Sequence, residues 1–377
     1  MIYIIFVIFL FVLSYKLSLE RHNSNSNSII YYFVLFGFFF ITAFRYQVGC
    51  DWDGYNHMYH NATFVEFKET IAMRDNLFWA ILIFMHEVGL PYPYINIFCS
   101  AIFFTGIHVL ARRQSNPLSF LVLLFPILII NIGMASIRQG AAVGIICIAF
   151  TYFIDRRLLR FIIYVILATG FHGSAIVFIL MSPFISGRYA FSEFFKGFII
   201  AAFSLCIIFF TGLTESFDAA IRLYVDNKWN MESAGAIFRN GFLSLTAIFF
   251  FFFLKEKWRK TFPSDFNLIC LGTLGMLIAT ALIPLSTVIS DRMGYYFTPI
   301  QVMIFARLSY LPFKSHQLFY SQLPYLVTFF VFFIWAINSW HFQECYLPYD
   351  TWIFGLPEGN FFIDPKDVNI GSHLPRY

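Results

Sequence analysis

Long apolar runs with almost no charge constrain the fold of this sequence more than any other feature. The segment AIFFFFFL at 247–254 is one example, and hydrophobic residues make up 59% of the 377 positions. Charged residues make up only 12%, about half of the roughly 25% found in a soluble domain. The runs do not alternate polar and apolar residues as the strands of a transmembrane barrel do. The sequence therefore predicts an all-α, polytopic membrane bundle, because helices satisfy their own backbone groups in the bilayer.

The boundaries of the apolar runs predict about twelve transmembrane helices, some of them short or broken, in a single domain over residues 1–340. The predicted spans are 1–15, 29–44, 95–111, 118–135, 137–154, 158–170, 172–187, 197–213, 237–254, 266–286, 294–311 and 320–338. The first span has no basic n-region or small-residue cleavage site, so we expect a retained helix. Segment 77–90 is shorter and carries His86 and Glu87 near its end. We expect it to be an interfacial or re-entrant half-helix.

Lysine and arginine clusters predict the orientation, because such residues concentrate in cytoplasmic loops. All of the basic joints fit the cytoplasmic side together: Lys16 with Arg21, Arg112 with Arg113, 155–160, Arg188 with Lys196, 255–260, and Arg307 with Lys314. The polar loops 45–76 and 214–236 and the C-terminal tail 341–377 are then extracytoplasmic. The short polar segments 136–139, 171–174 and 291–292 fall on the same side.

Several classes of function lack support in the sequence. The net charge is only +4, and no basic patch with interleaved aromatics predicts a nucleic-acid partner. No metal-binding, nucleotide-binding or nucleophile motif occurs, so we expect neither a metal nor a cofactor. Cys50 and Cys345 both fall in predicted outer segments. A disulfide between them is one alternative, and two unpaired loop thiols are the favoured one.

Charges at membrane depth are costly and are usually retained for a task. The segment NIGMASIRQGAAVG at 131–144 puts Arg138 and Gln139 at the start of a predicted helix, where the dipole favours anions rather than cations. A bound phosphate would gain from both the guanidinium and the exposed N–H groups. A structural salt bridge is the alternative. The small residues that follow, among them Gly140 and Gly144, predict close helix approach.

Three other polar segments are predicted at the same membrane face. Arg45 is followed by Asp51 and Asp53 in FRYQVGCDWDGYNHMYH at 44–60, which indicates either an interfacial anchor or a loop that grips an anion and supplies a base. His172 in ATGFHGSA is either a packing residue or a functional one. In SDRMGYY, Arg292 stands at a helix entrance, where Asp291 neutralises it, caps the helix or leaves it for a ligand.

The segments FRYQVGCDWDGYNHMY, ASIRQGAAVGIICIAFTYFIDRR and FIIYVILATGFHGSAIVFIL, in this order, resemble the EpsG family of Wzy-like polysaccharide polymerases. The later DRMGYYF and CYLPYDTWIF are similar to that family's closing motifs. The resemblance covers residues 40–355. Cys50 departs from it, since such proteins often carry a small hydroxyl residue there.

The resemblance implies a metal- and nucleotide-independent glycosyltransferase in a bacterial inner membrane, with its active site facing the periplasm or outside. Its substrates would be oligosaccharide units on undecaprenyl diphosphate, and its partners a chain-length regulator and a flippase of the same pathway. Implied site residues are Arg45, Arg138 and Arg292 for the diphosphate, Asp51 (preferred) or His172 as the base, and Gln139, Asp53 and Tyr295 as secondary substrate contacts. The rival interpretations are a ligase that attaches finished glycan, a flippase of lipid-linked oligosaccharide, and a membrane acyltransferase.

Overall fold

The computed structural model describes residues 2–19, 24–62, 68, 70, 75–186, 235–313 and 317–355. The first half contains α1 (Ile2–Leu19), α2 (Ser24–Ala43), α3 (Trp52–Asn61), α4 (Asn76–Glu87), α5 (Tyr94–Ala111), α6 (Pro117–Leu124), α7 (Ile137–Ile154) and α8 (Leu158–Phe171). The second half contains α9 (Ala236–Phe249), α10 (Lys255–Thr261), α11 (Phe266–Ala281), α12 (Thr287–Arg307), α13 (Gln317–Asn338) and α14 (Trp340–Tyr346). Within these residues there is no β-strand, only an isolated bridge between Arg45 and Thr351. The predicted all-α class is confirmed.

The predicted spans coincide with helical segments wherever the structure describes them. Span 197–213 and loop positions 214–234 lie outside the described residues. Four described helices are long and apolar enough to cross a membrane, namely Tyr94–Ala111, Ile137–Ile154, Ala236–Thr261 and Leu318–Asn338. Seven further apolar helices are shorter, so the count of twelve spans is not confirmed. The short helix expected at 77–90 is present as α4, and its position relative to a membrane stays a prediction.

The middle of the bundle is α7, which packs most closely against α5. Of α7, 78% is buried inside the protein, compared with 17% of Leu318–Asn338. The two helices touch where Gly106 faces Gly144, and a methyl group added to Gly106 would lie 1.8 Å from the Gly144 carbonyl oxygen. The close approach predicted from the small residues of this segment is confirmed for Gly144, because the contact is backbone against backbone.

The outer helices expose large apolar side chains. Phe33 on α2 is 80% exposed, Phe252 between α9 and α10 is 79% exposed, and Leu318 on α13 is 66% exposed. Water-facing surfaces of soluble proteins rarely carry contiguous apolar patches of this kind. The exposed shell and the buried α7 together give the layering of a helical membrane bundle.

Regular helix gives way to other helical forms over five or more residues in three predicted spans. A π-helix over Phe125–Gly133 follows α6, another over Phe250–Leu254 joins α9 to α10, and Gly173–Phe184 is a 3-10 helix. Proline contributes to two of these departures, because Pro126 and Pro183 lack the N–H that an α-helix would use. The first π-helix ends three residues before Ser136, the N-cap of α7. It therefore determines how the chain enters the central helix.

The C-terminal segment returns to the first polar loop and is bonded to it. Cys50 and Cys345 form a disulfide, so the favoured expectation of two unpaired thiols was wrong. The Tyr46 amide donates to the Asp350 carbonyl at 2.9 Å. Trp352, 6% exposed, packs into the same region. Residues through 355 of the predicted tail thus form part of the bundle surface, while 356–377 lie outside the described residues.

A buried ion pair holds the opposite end of the bundle together. Arg307 at the end of α12 pairs with Asp265 just before α11. The Trp258 indole N–H donates to the second oxygen of the same carboxylate at 3.0 Å. Arg307 also donates to the main-chain oxygen of Arg113 at 3.1 Å. One guanidinium and one carboxylate therefore join four segments of the chain through ion-pair and hydrogen-bond contacts.

Candidate active site

Arg138 lies in the first turn of α7 and pairs with an aspartate from another part of the chain. Its Nη1 donates to Asp75 Oδ2 at 2.9 Å, and the two side chains are 27% and 2% exposed. The guanidinium lies over the rings of Tyr55 and Phe78, with 5.4 and 5.6 Å to the ring centroids. Its Nε is buried and has no acceptor among the described residues. The structural salt bridge weighed against ligand binding is present, and 27% of the Arg138 side chain stays exposed beside it.

The segment expected as a polar loop at 45–76 contains the helix α3, with Asp51 as its N-cap. The Asp51 side chain does not cap that helix. It accepts a hydrogen bond at 2.8 Å from Ser136 Oγ, the residue that begins α7. Asp51 is half-buried, whereas Asp53 on the first turn of α3 is exposed. Asp51 thus lies at the N-terminus of α7, bonded to Ser136, which precedes Arg138 by two residues.

Tyr55 of α3 lies between the charged groups. Burial raises the pKa of its phenol, Arg138 and Arg292 lower it, and Asp51 raises it further. The Tyr55 hydroxyl therefore lies within electrostatic range of all three charged groups. The amide of Gln139 donates to the main-chain oxygen of Arg292 at 2.5 Å, which ties the start of α7 to α12.

His172 ends α8, at the turn into the 3-10 helix. The next amide, Gly173 N–H, donates to Asp75 Oδ1 at 2.8 Å. The ring Nδ1 shares a hydrogen bond of 2.7 Å with Ser174 Oγ, which donates to the Tyr296 hydroxyl at 3.1 Å. His172 is 4% exposed. The turn is thus held by both Asp75 and α12, and the ring is buried beneath the cluster.

Arg45 lies at the same end of the bundle but inside the protein. Its side chain is 1% exposed. Its three nitrogens donate to the carbonyls of Thr42 (2.6 Å) and Val48 (3.0 Å) and to Asn96 Oδ1 (2.8 Å). The guanidinium thereby holds the turn that leads to Cys50.

The sequence model of the EpsG family matches residues 28–351. This chain belongs to the EpsG family. The match begins in α2 and ends beside the bridge between Arg45 and Thr351, so it includes every element of the site described above. No curated protein and no solved structure matches the chain. EpsG family membership indicates a membrane protein with a glycosyltransferase-like, polysaccharide polymerase activity.

Two charged residues of this EpsG chain were missed by sequence reasoning. Arg239 on α9 forms a bidentate pair with Asp291, at 2.9 and 2.7 Å, and both side chains are buried. Its guanidinium lies 5.5 Å from the ring centroid of Tyr295. The N-cap of α12 is Ser286, so the alternative in which Asp291 caps that helix was wrong. The signal for Arg239 was available, because it is a charge within an apolar segment.

Asp75 is the second missed residue. It precedes the short apolar helix α4 in the sequence, and nothing local indicates that its partner lies 63 residues further along the chain. Its helix was expected, but its carboxylate was not expected in the site. The described part of the chain contains no group of three side chains suited to hold a metal ion. What the cluster offers is guanidinium groups, carboxylates and hydroxyls, which can bind an anion and move a proton.

Proposed function

We propose that this EpsG family member is a Wzy-type polymerase that joins oligosaccharide units carried on undecaprenyl diphosphate. The observation that carries the proposal is Arg138, partly exposed at the N-terminus of the central helix, in a turn whose Ser136 bonds to Asp51 and whose Gln139 bonds to the main chain of Arg292. A partly exposed guanidinium at a helix N-terminus is placed to pair with diphosphate oxygens.

The proposed reaction is a glycosyl transfer without a metal. The acceptor hydroxyl oxygen attacks the anomeric carbon of the donor sugar, and a new C–O bond forms. The bond from that carbon to the diphosphate breaks, and undecaprenyl diphosphate leaves with the electron pair. Arg138 and Arg292 bind the diphosphate oxygens, on which charge develops, and preorganised guanidinium groups stabilise such charge. A base accepts the proton of the acceptor hydroxyl.

We assign the base to Asp51 rather than to His172. Asp51 is half-buried, and its Oδ2 accepts from Ser136, so Oδ1 is available to an acceptor sugar. His172 is 4% exposed, and its Nδ1 is engaged with Ser174. Accessibility therefore favours the carboxylate, and His172 serves to hold the turn beneath it.

The remaining predicted contacts divide into structural and substrate-facing groups. Arg45, at 1% exposure, is not reachable by a diphosphate in this conformation, so we assign it to the turn before Cys50. Tyr295, at 5% exposure, packs against Arg239. Asp53 is exposed on α3 and is the better candidate for a sugar contact. Gln139 acts by joining α7 to α12.

The proposed site faces the periplasm or outside of a bacterial inner membrane, since all its members follow or precede spans on the side opposite the basic joints. Its partners there are the lipid-linked substrate, a chain-length regulator and a flippase. The Cys50–Cys345 disulfide at the same end supports this orientation, because disulfides persist in oxidising compartments.

Deletion of the gene, followed by complementation, tests the proposal. We expect the deletion strain to carry single capped units on a polysaccharide gel. Wild type and Arg113→Ala should restore long chains, and Arg138→Ala should not, although it reaches the membrane at a normal level. Arg113 is a matched control because its ion pair with Asp155 is exposed and lies at the other end of α7.

Other outcomes would contradict the polymerase proposal. Free unlinked polymer in the deletion strain would indicate a ligase, and accumulation of cytoplasmic units would indicate a flippase. Long chains made by the Arg138→Ala variant would remove Arg138 from the diphosphate site.

A further inference from the structure

Asp75 adopts a conformation that its own helix does not require. It is the N-cap of α4, with φ 58° and ψ 43°, the left-handed region that side chains with a Cβ disfavour. An aspartate at this position commonly caps its helix through its carboxylate. The Asp75 carboxylate makes no such cap hydrogen bond. Aspartate tolerates this conformation better than most residues, so the feature that sets Asp75 apart is a carboxylate that bonds outside its own helix.

The two oxygens of Asp75 bond to two other parts of the chain. Oδ2 accepts from Arg138 Nη1 at 2.9 Å, and Oδ1 accepts from the Gly173 amide at 2.8 Å. One carboxylate therefore connects the first turn of α7 to the turn that carries His172. The carboxylate is 2% exposed, so water competes little for these bonds and each is stronger than its surface equivalent.

Packing around Asp75 restricts its movement. A methyl group added to Gly170, in the last turn of α8, would lie 2.5 Å from the Leu77 side chain and 3.0 Å from Asn76 Oδ1. The start of α4 therefore packs closely against the end of α8. Asp75, which immediately precedes Asn76, is held beside α8 by this packing.

We infer that Asp75 is a positioning residue, which holds Arg138 and the His172 turn in a fixed relation so that the guanidinium meets a diphosphate without reorganising. This inference rests on the proposed function and deepens it. The carboxylate engages Nη1, and the Arg138 side chain remains 27% exposed. A donor that is already held in position binds an anion more tightly than a mobile one, because its side chain loses conformational entropy during folding and not on binding.

Electrostatic competition alone predicts the opposite effect on anion binding when the Asp75 carboxylate is removed. A carboxylate next to Arg138 competes with an added anion, so its removal would strengthen anion binding if competition were its main effect. Positioning predicts that its removal weakens binding. Binding of inorganic pyrophosphate by the purified protein, measured by calorimetry, separates the two. We expect Asp75→Asn to weaken binding about 10- to 100-fold, the range that corresponds to one hydrogen bond to a charged group.

Two controls accompany this measurement. Asp155→Asn removes the partner of an exposed arginine at the far end of α7 and should leave pyrophosphate binding unchanged. Asp75→Glu keeps the charge, and we expect it to recover part of the affinity. It also serves as the test variant if Asp75→Asn does not fold. Tighter or unchanged binding by the folded Asp75→Asn variant overturns the inference.

A second assay tests whether Asp75 acts through Arg138. Lipid-linked units extracted from the deletion strain are extended by purified protein, and the rate at saturating substrate is compared between variants. Asp75→Asn should lower this rate about 10- to 100-fold in the wild-type background, and far less in an Arg138→Lys background. Equal losses in both backgrounds would mean that Asp75 acts independently of Arg138, contrary to the inference. If the wild-type protein extends no unit yet binds pyrophosphate in an Asp75-dependent manner, the polymerase proposal fails and the positioning role stands.

Discussion

Replacing Gly106 with alanine should loosen the centre of the bundle. The added methyl group would lie 1.8 Å from the Gly144 carbonyl oxygen, and ordinary contacts begin at 3.4 Å. The two backbones must therefore separate by about 1.6 Å along that line. Even a gap of about 1 Å removes up to half of the dispersion energy of a contact. Both atoms at the contact belong to, or are attached directly to, the main chain, so no side-chain rotation relieves the clash.

The expected loss of stability follows from two opposing effects. Overpacking a core costs about 1–3 kcal/mol, and a backbone contact belongs at the upper end of that range. Alanine is a better helix former than glycine by about 1 kcal/mol. The net expectation is a decrease of about 2 kcal/mol in the free energy of unfolding. Gly37→Ala in α2 is the matched control, since nothing lies within 4 Å of its added methyl group. That control should be neutral or stabilising by up to about 1 kcal/mol.

Thermal unfolding in detergent, followed with a thiol-reactive dye, measures both variants. Cys99 on α5 and Cys147 on α7 are buried and unpaired, so they report on the two helices in question. The midpoint should fall for Gly106→Ala and should not fall for Gly37→Ala. Equal midpoints for Gly106→Ala and wild type would refute the argument that α5 and α7 need a backbone contact.

Two further predictions concern the ends of the bundle. Wild-type protein should migrate faster on a non-reducing gel than after reduction, and identical migration would argue against the disulfide. Cys50→Ser or Cys345→Ser should abolish the difference in migration and lower the free energy of unfolding by about 2–4 kcal/mol. Asp265→Asn should cost about 3–5 kcal/mol because Arg307 is then buried without its carboxylate, whereas Asp155→Asn should cost less than about 1 kcal/mol, since its ion pair is exposed. The dye assay compares the two acids, and similar losses would show that burial does not decide the cost.

Helix positions could be predicted from the sequence because apolar runs between charges are a local signal. The start of α7 is an example, since Arg138 was expected in its first turn and is found there. The π and 3-10 segments could not be predicted in the same way. Their hydrogen-bond pattern depends on packing against other helices, and apolar periodicity does not distinguish it from an α-helix.

Partnerships across the chain were beyond the sequence for a related reason. The Arg138–Asp75 and Arg239–Asp291 pairs join residues 63 and 52 positions apart. A single sequence shows which charges lie in apolar segments, where they are costly. It does not show which opposite charge pairs with each of them. The same limit applies to Cys50 and Cys345, whose separation of 295 residues gives no indication of pairing.

The bond between the first polar loop and α14 gives biogenesis a fixed order. The ribosome completes Cys50 early and reaches its partner 295 residues later. Until that moment the amides of Tyr46 and Gly49 lack their native acceptors, the carbonyls of Asp350 and Cys345. During most of translation, the loop before Asp51 therefore lacks its disulfide and these two hydrogen bonds. A product truncated before residue 345 would never form them.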